Sequence, residues 1–302
     1  MPTGAFRGVY AIPPTPFHDD GSIDETSLAR CIEFCLNAGA NGIVAPVVAS
    51  EAAALLDDER MRVAELVTEQ VRGRVPVVIG VSGASEPASV RFTRHAGSIG
   101  ADAVITMPPG GGQARSEEIL AFYTAVARAA APLPVWIQHY PGLCGTSMAP
   151  ELLAQLVTEV EGVDWLKEES VHAPQVMTRV RELAGDSLNG VMGGMGGRYL
   201  LNEAARGACG TMPACEVVDV HVRIWQALER GDREEARHVH TRLLPLLNFE
   251  AMYGCPVWKE VLVRRGVIAS ARTRIPEAAV LDARSQQELD RLLADLGDLL
   301  TV

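Results

Sequence analysis

Eight short apolar runs, each followed by a stretch with helical periodicity, constrain this chain more than any other feature. The runs are Gly8–Ile12, Gly42–Pro46, Val75–Val81, Ala103–Met107, Val135–Tyr140, Val163–Lys167, Leu188–Met192 and Cys209–Met212. Between them, the spacing of apolar residues predicts helices over Ser27–Asn37, Asp57–Val71, Pro87–Ile99, Ser116–Ala130, Ala149–Val160, Ala173–Leu183 and Gly197–Arg206. Strands that alternate with helices at roughly 25-residue spacing imply βα units and a parallel sheet.

Eight such units in roughly 215 residues fit a closed (β/α)8 barrel better than an open sheet. A doubly wound sheet ordinarily stops near six strands and carries a glycine fingerprint after its first strand. Here the first strand runs into Ile12-Pro13-Pro14-Thr15-Pro16, where prolines remove the amides that would cradle a pyrophosphate. After Ala214 only helices are predicted: Val217–Arg230, Arg233–Leu247, Val257–Arg265 and Ser285–Leu300, broken at Gly231-Asp232, at Gly254-Cys255-Pro256 and over Thr273–Pro276. The expected fold is therefore α/β, a TIM barrel over residues 1–215 with a C-terminal helical appendage over 216–302.

Charge narrows the partners. The 302 residues carry 27 Lys+Arg against 38 Asp+Glu, a net charge of −11, which repels nucleic acid and anionic membrane surfaces at long range. A small anionic substrate stays open, because one cationic site can oppose the global field. No apolar run approaches the roughly 20 residues of a membrane helix. Met1–Arg7 lacks the basic-then-apolar pattern of a signal peptide, so a cytoplasmic protein is expected. The six cysteines show no paired CxxC spacing and read as reduced thiols, with Cys31 and Cys35 as small buried hydrophobes. None of the seven histidines forms an HxH or HExxH pattern at a strand end, and no metal or other cofactor is expected.

The cationic residues are almost all arginine; the two lysines are Lys167 and Lys259. Lys167 ends the sixth apolar run, where a barrel of this type keeps its working groups. A lysine aimed into an apolar mouth is costly as a cation, and the neutral amine is the form that attacks a ketone to give an imine. Lys259, in Pro256-Val257-Trp258-Lys259-Glu260-Val261, reads instead as the solvated face of an amphipathic helix.

Several segments in order carry a resemblance. They are Gly8–Phe17, Asn41–Val44 with Ser50-Glu51 downstream, Val163–Glu168 with its lysine, and Gly193-Gly194-Met195-Gly196-Gly197-Arg198-Tyr199 leading to Arg206–Pro213. Together they resemble the dihydrodipicolinate synthase / N-acetylneuraminate lyase family over essentially the whole chain, with the last stretch most similar to its sugar-acid dehydratase branch. The resemblance implies Schiff-base chemistry. Lys167 would attack the ketone of a 2-oxo acid, and the protonated imine would act as an electron sink for C–C or C–O cleavage. It also implies a strand-5 proton shuttle, a strand-2 loop gripping the carboxylate, and a dimer or tetramer of like chains.

The departures from the family pattern reshape that expectation. The family's Gly-Thr-Thr-Gly-Glu loop aligns with Val47-Val48-Ala49-Ser50-Glu51, leaving backbone N–H groups and the Ser50 hydroxyl for a carboxylate. Gln138 stands at the strand-5 tyrosine, the interface tyrosine falls in Pro108–Gly112, and the synthases' carboxylate-binding arginine aligns with Leu143. A dihydrodipicolinate synthase is therefore not expected; an aldolase or dehydratase acting on pyruvate or a 2-keto-3-deoxy sugar acid is. The catalytic candidates are Lys167, Tyr140, Gln138 and His139, with Glu168 and Glu169 beside them; the substrate-binding candidates are Val48, Ala49, Ser50, Glu51, Gly194 and Met212. Strand alternation favours Tyr140 pointing inward with Gln138 while His139 points away. Glu168 could pair with an arginine, Cys144 lies after strand 5, and the glycines after strand 7 suit close approach of a substrate first and a phosphate second. The competing readings are a ligand-binding barrel without turnover and a metal-dependent barrel lyase.

Overall fold

The computed structural model describes residues 6–111, 114–275 and 278–302. The expectations that touch Met1–Ala5, Gly112 and Pro276 lie outside the described residues.

Eight parallel strands close into a barrel in sequence order: β1 (Gly8–Ala11), β2 (Gly42–Val44), β3 (Val77–Gly80), β4 (Ala103–Thr106), β5 (Val135–His139), β6 (Val163–Glu168), β7 (Gly190–Gly193) and β8 (Gly210–Thr211), with β8 pairing back onto β1. Nearly every strand residue is buried, as a parallel sheet covered by helices requires. The barrel floor is aromatic. Trp136 of β5 stacks on Trp165 of β6 with centroids 4.6 Å apart, and Phe6 meets both rings edge-on. Gly42 and Gly190 make that packing possible, since a Cβ would fall 2.2 Å from the Tyr10 ring and 2.3 Å from the Trp165 ring respectively.

Between and after the strands lie α1 (Glu25–Asn37), α2 (Asp57–Val71), α3 (Glu86–Ser98), α4 (Ser116–Ala130), α5 (Pro141–Cys144), α6 (Pro150–Glu159), α7 (Ala173–Ala184), α8 (Leu200–Ala205), α9 (Val218–Glu229), α10 (Arg233–Tyr253), α11 (Cys255–Arg264) and α12 (Ala283–Leu296). Local chemistry sets several starts: Asp24, Ser85, Asp232 and Asp282 each accept an amide bond from the first turn of α1, α3, α10 and α12. The four-residue α5 had no signal in the sequence. α10 outruns the expected end at Leu247 and stops at Gly254, whose φ of +66° suits glycine. α9 follows β8 and lies against β1, so the first helix of the region placed after residue 215 completes the eighth βα unit.

All six cysteines are free thiols, and Cys31, Cys35 and Cys215 are fully buried together. Lys259 contradicts the expectation of a solvated lysine. It is wholly buried, ion-paired with Glu51, 4.3 Å from the centre of the Phe17 ring, and donates a 2.6 Å hydrogen bond to the Arg272 carbonyl. The helical periodicity placed it on the outer face, but the chain after α11 folds back over that face and encloses it.

Candidate active site

Side chains alternate along a strand, so β5 and β6 each present every second residue to the barrel interior. On β5 the inward series is Trp136 and Gln138; on β6 it is Trp165, Lys167 and then Glu169 just beyond the strand. The register pairs Trp136 with Trp165 and Gln138 with Lys167. The aromatic floor therefore sits one layer below the polar groups. Lys167 is 3% exposed and Gln138 2%, and both border a cavity of about 210 Å³ at the C-terminal ends of the strands, along with Tyr140, Val48, Ala49 and Met212.

Glu169 joins these groups. Its Oε2 lies 3.1 Å from Lys167 Nζ and accepts a 2.8 Å hydrogen bond from Gln138 Nε2, while its Oε1 accepts one from the Met195 amide at 3.2 Å. The lysine charge is thus met by a carboxylate. The Tyr140 phenol, half-buried at the rim, is raised above its ordinary value by burial first and by the Glu169 charge second.

Four candidates lie elsewhere or do something else. His139 faces away from the cavity: its Nδ1 is 2.7 Å from Glu168 Oε2 and its Nε2 accepts the Met148 amide at 3.1 Å. Glu168, expected against an arginine, pairs with that histidine and with the Ser170 amide instead. The Ser50 hydroxyl is turned from the cavity and donates to the Pro13 carbonyl at 2.8 Å. Glu51 points into the C-terminal segment, where it takes Lys259, the Thr273 hydroxyl at 2.7 Å and the Arg274 amide at 2.8 Å. The local strand and loop pattern could not show that the returning C-terminal chain would claim it.

Gly194 acts by what it lacks: a Cβ there would sit 2.2 Å from Glu169 Oε1. Neighbouring Gly193 leaves equivalent room for Glu203 of α8, whose carboxyl would be met at 1.8 Å. Glu203 is fully buried with neither carboxyl oxygen partnered among the described residues, and burial pushes it up to about 8, with repulsion from Glu169 and Glu168 adding. Carboxylates fill the space beside these glycines, which argues against a phosphate there.

Three further groups border the cavity without having been singled out: Arg198, Glu250 and Trp258. Arg198 follows the glycine run directly, so its position in the loop was a signal. Glu250 and Trp258 come from α10 and α11 and had none, being about forty and nearly fifty residues past the last strand. A second cavity, about 750 Å³, opens at the opposite end of the barrel near Phe6, Pro132, Gly162 and Asn189, away from all of these groups. Among the described residues no group of three or more His, Cys, Asp or Glu side chains could hold a metal ion, and no helix is long and apolar enough to cross a membrane.

The comparisons with known proteins agree with this arrangement. The chain is 32% identical over 278 residues to the L-2-keto-3-deoxyarabonate dehydratase of Azospirillum brasilense, covering 91% of this chain and 89% of that protein. It is 30% identical to a 4-hydroxy-tetrahydrodipicolinate synthase of Pelobacter propionicus, covering 97% and 94%. The crystal structure of dihydrodipicolinate synthase from Rhodopseudomonas palustris superposes with a TM-score of 0.90 at 30% identity, covering 97% and 98%. With the model of the dihydrodipicolinate synthetase family matching residues 5–296, and a lysine and a carboxylate meeting at the mouth of the same barrel, this chain belongs to that family.

Proposed function

We propose that this family lyase works as a dehydratase on a 2-keto-3-deoxy sugar acid, with Lys167 as the imine-forming amine and Glu169 as the acid–base group. The observation that carries the reading is the 3.1 Å approach of Lys167 Nζ to Glu169 Oε2 inside the barrel mouth.

The chemistry follows from those two groups. Glu169 takes the proton that Lys167 sheds, the neutral amine attacks the C2 ketone, and Glu169 returns that proton to the carbinolamine hydroxyl, which leaves as water and restores the carboxylate. The protonated imine acidifies C3, and Glu169 removes a proton there to give an enamine. The enamine electron pair expels the C4 hydroxyl, which takes that proton and departs as a second water. Hydrolysis of the unsaturated imine consumes one water and frees Lys167. The net change is the loss of one water.

The remaining groups have supporting parts in this scheme. Gln138 is a donor that does not titrate near neutral pH, so it orients Glu169 without competing for its proton. Aldol cleavage needs a base at the C4 hydroxyl, the part the family gives to a strand-5 tyrosine; glutamine cannot take it, which favours dehydration and disfavours a dihydrodipicolinate synthase. Tyr140, at the cavity rim, would orient the C4 hydroxyl while Glu169 returns the proton. Val48 and Ala49 open a short 3-10 turn from Val48 to Ser50 at the cavity edge, where the first amides have no acceptor within the turn and suit the C1 carboxylate. The reading also takes the protein as a cytoplasmic dimer or tetramer, as is common in the family.

Borohydride reduction in the presence of pyruvate and of a 2-keto-3-deoxy pentonate, followed by peptide mapping, tests it. The expected result is a mass increase on the peptide containing Lys167, with the pentonate losing water before reduction. No adduct on Lys167 would end the proposal.

A further inference from the structure

The far wall of the cavity is built from residues beyond the barrel strands. Arg198, in the turn before α8, donates from a terminal nitrogen to the Leu247 carbonyl at 3.0 Å, yet its buried Nε has no partner among the described residues. Across from it, Glu250 of α10 is 5% exposed and its Oε1 is likewise unpartnered. Behind Glu250 stands Glu216, 1% exposed, with Oε2 unpartnered. Burial raises both carboxyls; the Glu250 charge raises Glu216 further, while the hydrogen bond between the two lowers Glu250. The Arg198 guanidinium is close enough to favour the ionised forms of both Glu250 and Tyr140.

Each end of the cavity holds one basic and one acidic side chain. At the reacting end Lys167 faces Glu169. At the far end Arg198 and Glu250 both line the wall. There the unpartnered Nε donor and carboxyl oxygen are what a hydroxyl group satisfies in both directions. A carboxylate or phosphate brought there would meet Glu250.

We propose that Arg198 and Glu250 form a distal subsite that hydrogen-bonds an uncharged hydroxyl tail, so that the preferred substrate is a 2-keto-3-deoxy acid ending in an alcohol and not in a second anionic group. This deepens the dehydratase reading above and rests on it. Glu250 sets the selection by charge; Arg198 supplies the donor.

The test compares kcat/KM for two 2-keto-3-deoxy acids of equal chain length, one ending in CH2OH and one in a carboxylate, on the full-length protein. Borohydride trapping of pyruvate, which has no tail, serves as a separate readout. The wild type is expected to favour the alcohol at least tenfold. Glu250→Gln, nearly isosteric, leaves Arg198 without its counter-charge and should shift the ratio toward the carboxylate at least tenfold. Arg198→Met should raise KM for the alcohol-ended acid at least tenfold while affecting pyruvate trapping less. A wild type that prefers the carboxylate, or a ratio that Glu250→Gln does not move, would overturn the subsite while pyruvate trapping still stood. No trapped adduct with any 2-oxo acid would overturn the Schiff-base reading, and this inference with it.

Discussion

Glu169 stands two residues beyond Lys167 on the same inward-facing series, and its Oε2 receives both the lysine ammonium at 3.1 Å and the Gln138 amide at 2.8 Å. One carboxylate oxygen thus holds the amine that would form an imine, while the carboxyl group as a whole is fixed by a neutral donor and a backbone amide.

That arrangement gives one carboxylate a part in both imine formation and elimination. Glu169→Gln should slow the borohydride-trapped adduct on Lys167 without abolishing it, since solvent can take the lysine proton, and lower kcat for water loss by about 10²- to 10⁴-fold, the usual worth of a positioned acid–base group. Lys167→Ala should lose adduct and turnover alike. Peptide mass mapping beside a dehydration assay checks both, and full turnover in either variant contradicts the assigned roles.

Gly194 should behave as a positioning residue. Alanine there places a Cβ 2.2 Å from Glu169 Oε1, so the carboxylate must move away from the lysine. Gly194→Ala is expected to lower kcat more than it raises KM, with the adduct still forming. A variant with wild-type kcat would show that Glu169 tolerates displacement.

Lys259 and Glu51 predict a stability effect distant from the cavity. Both side chains are fully buried, and removing one partner leaves an uncompensated charge, at a cost of about 3–5 kcal/mol. Lys259→Ala should lower the urea midpoint accordingly. The double replacement Glu51→Gln with Lys259→Met should recover part of the loss, since both charges go together.

Glu203 predicts a pH dependence. Its folded-state value is pushed up to about 8 from an ordinary 4.5, chiefly by burial. The folded chain therefore holds this proton through a range in which the unfolded chain has released it. The stability the group supplies is complete below about 4.5 and is lost as pH rises toward about 8, by on the order of a few kcal/mol. Urea midpoints of wild type and Glu203→Gln should differ little at pH 4.5, with the variant gaining steadily toward pH 8. Parallel curves across that window would mean Glu203 titrates normally.

Much of the barrel was legible because its signals are local. Asp57–Val71 and Ser116–Ala130 match the predicted helices residue for residue, since acidic first turns and apolar spacing act within the segment itself. Strand alternation likewise put Gln138 and Lys167 on one face and sent His139 to the other. What failed was anything decided by contacts across long stretches of chain. Ser50 and Glu51 looked free in the loop after β2, but Pro13 and the Lys259–Arg274 segment occupy them. Lys259 looked solvated for the same reason.

The sequence alone therefore determined the order of strands and helices and the layer in which the single barrel lysine stands, because backbone periodicity and covalent alternation leave little choice there. Tertiary structure decided which charges meet. Glu169 reaches Lys167 only because Gly194 leaves space beside it, and Arg198 faces Glu250 only because α10 returns over the barrel mouth. Ion pairs form through space, across separations that no local pattern records, and the cost of burying an unpaired charge is what selects them.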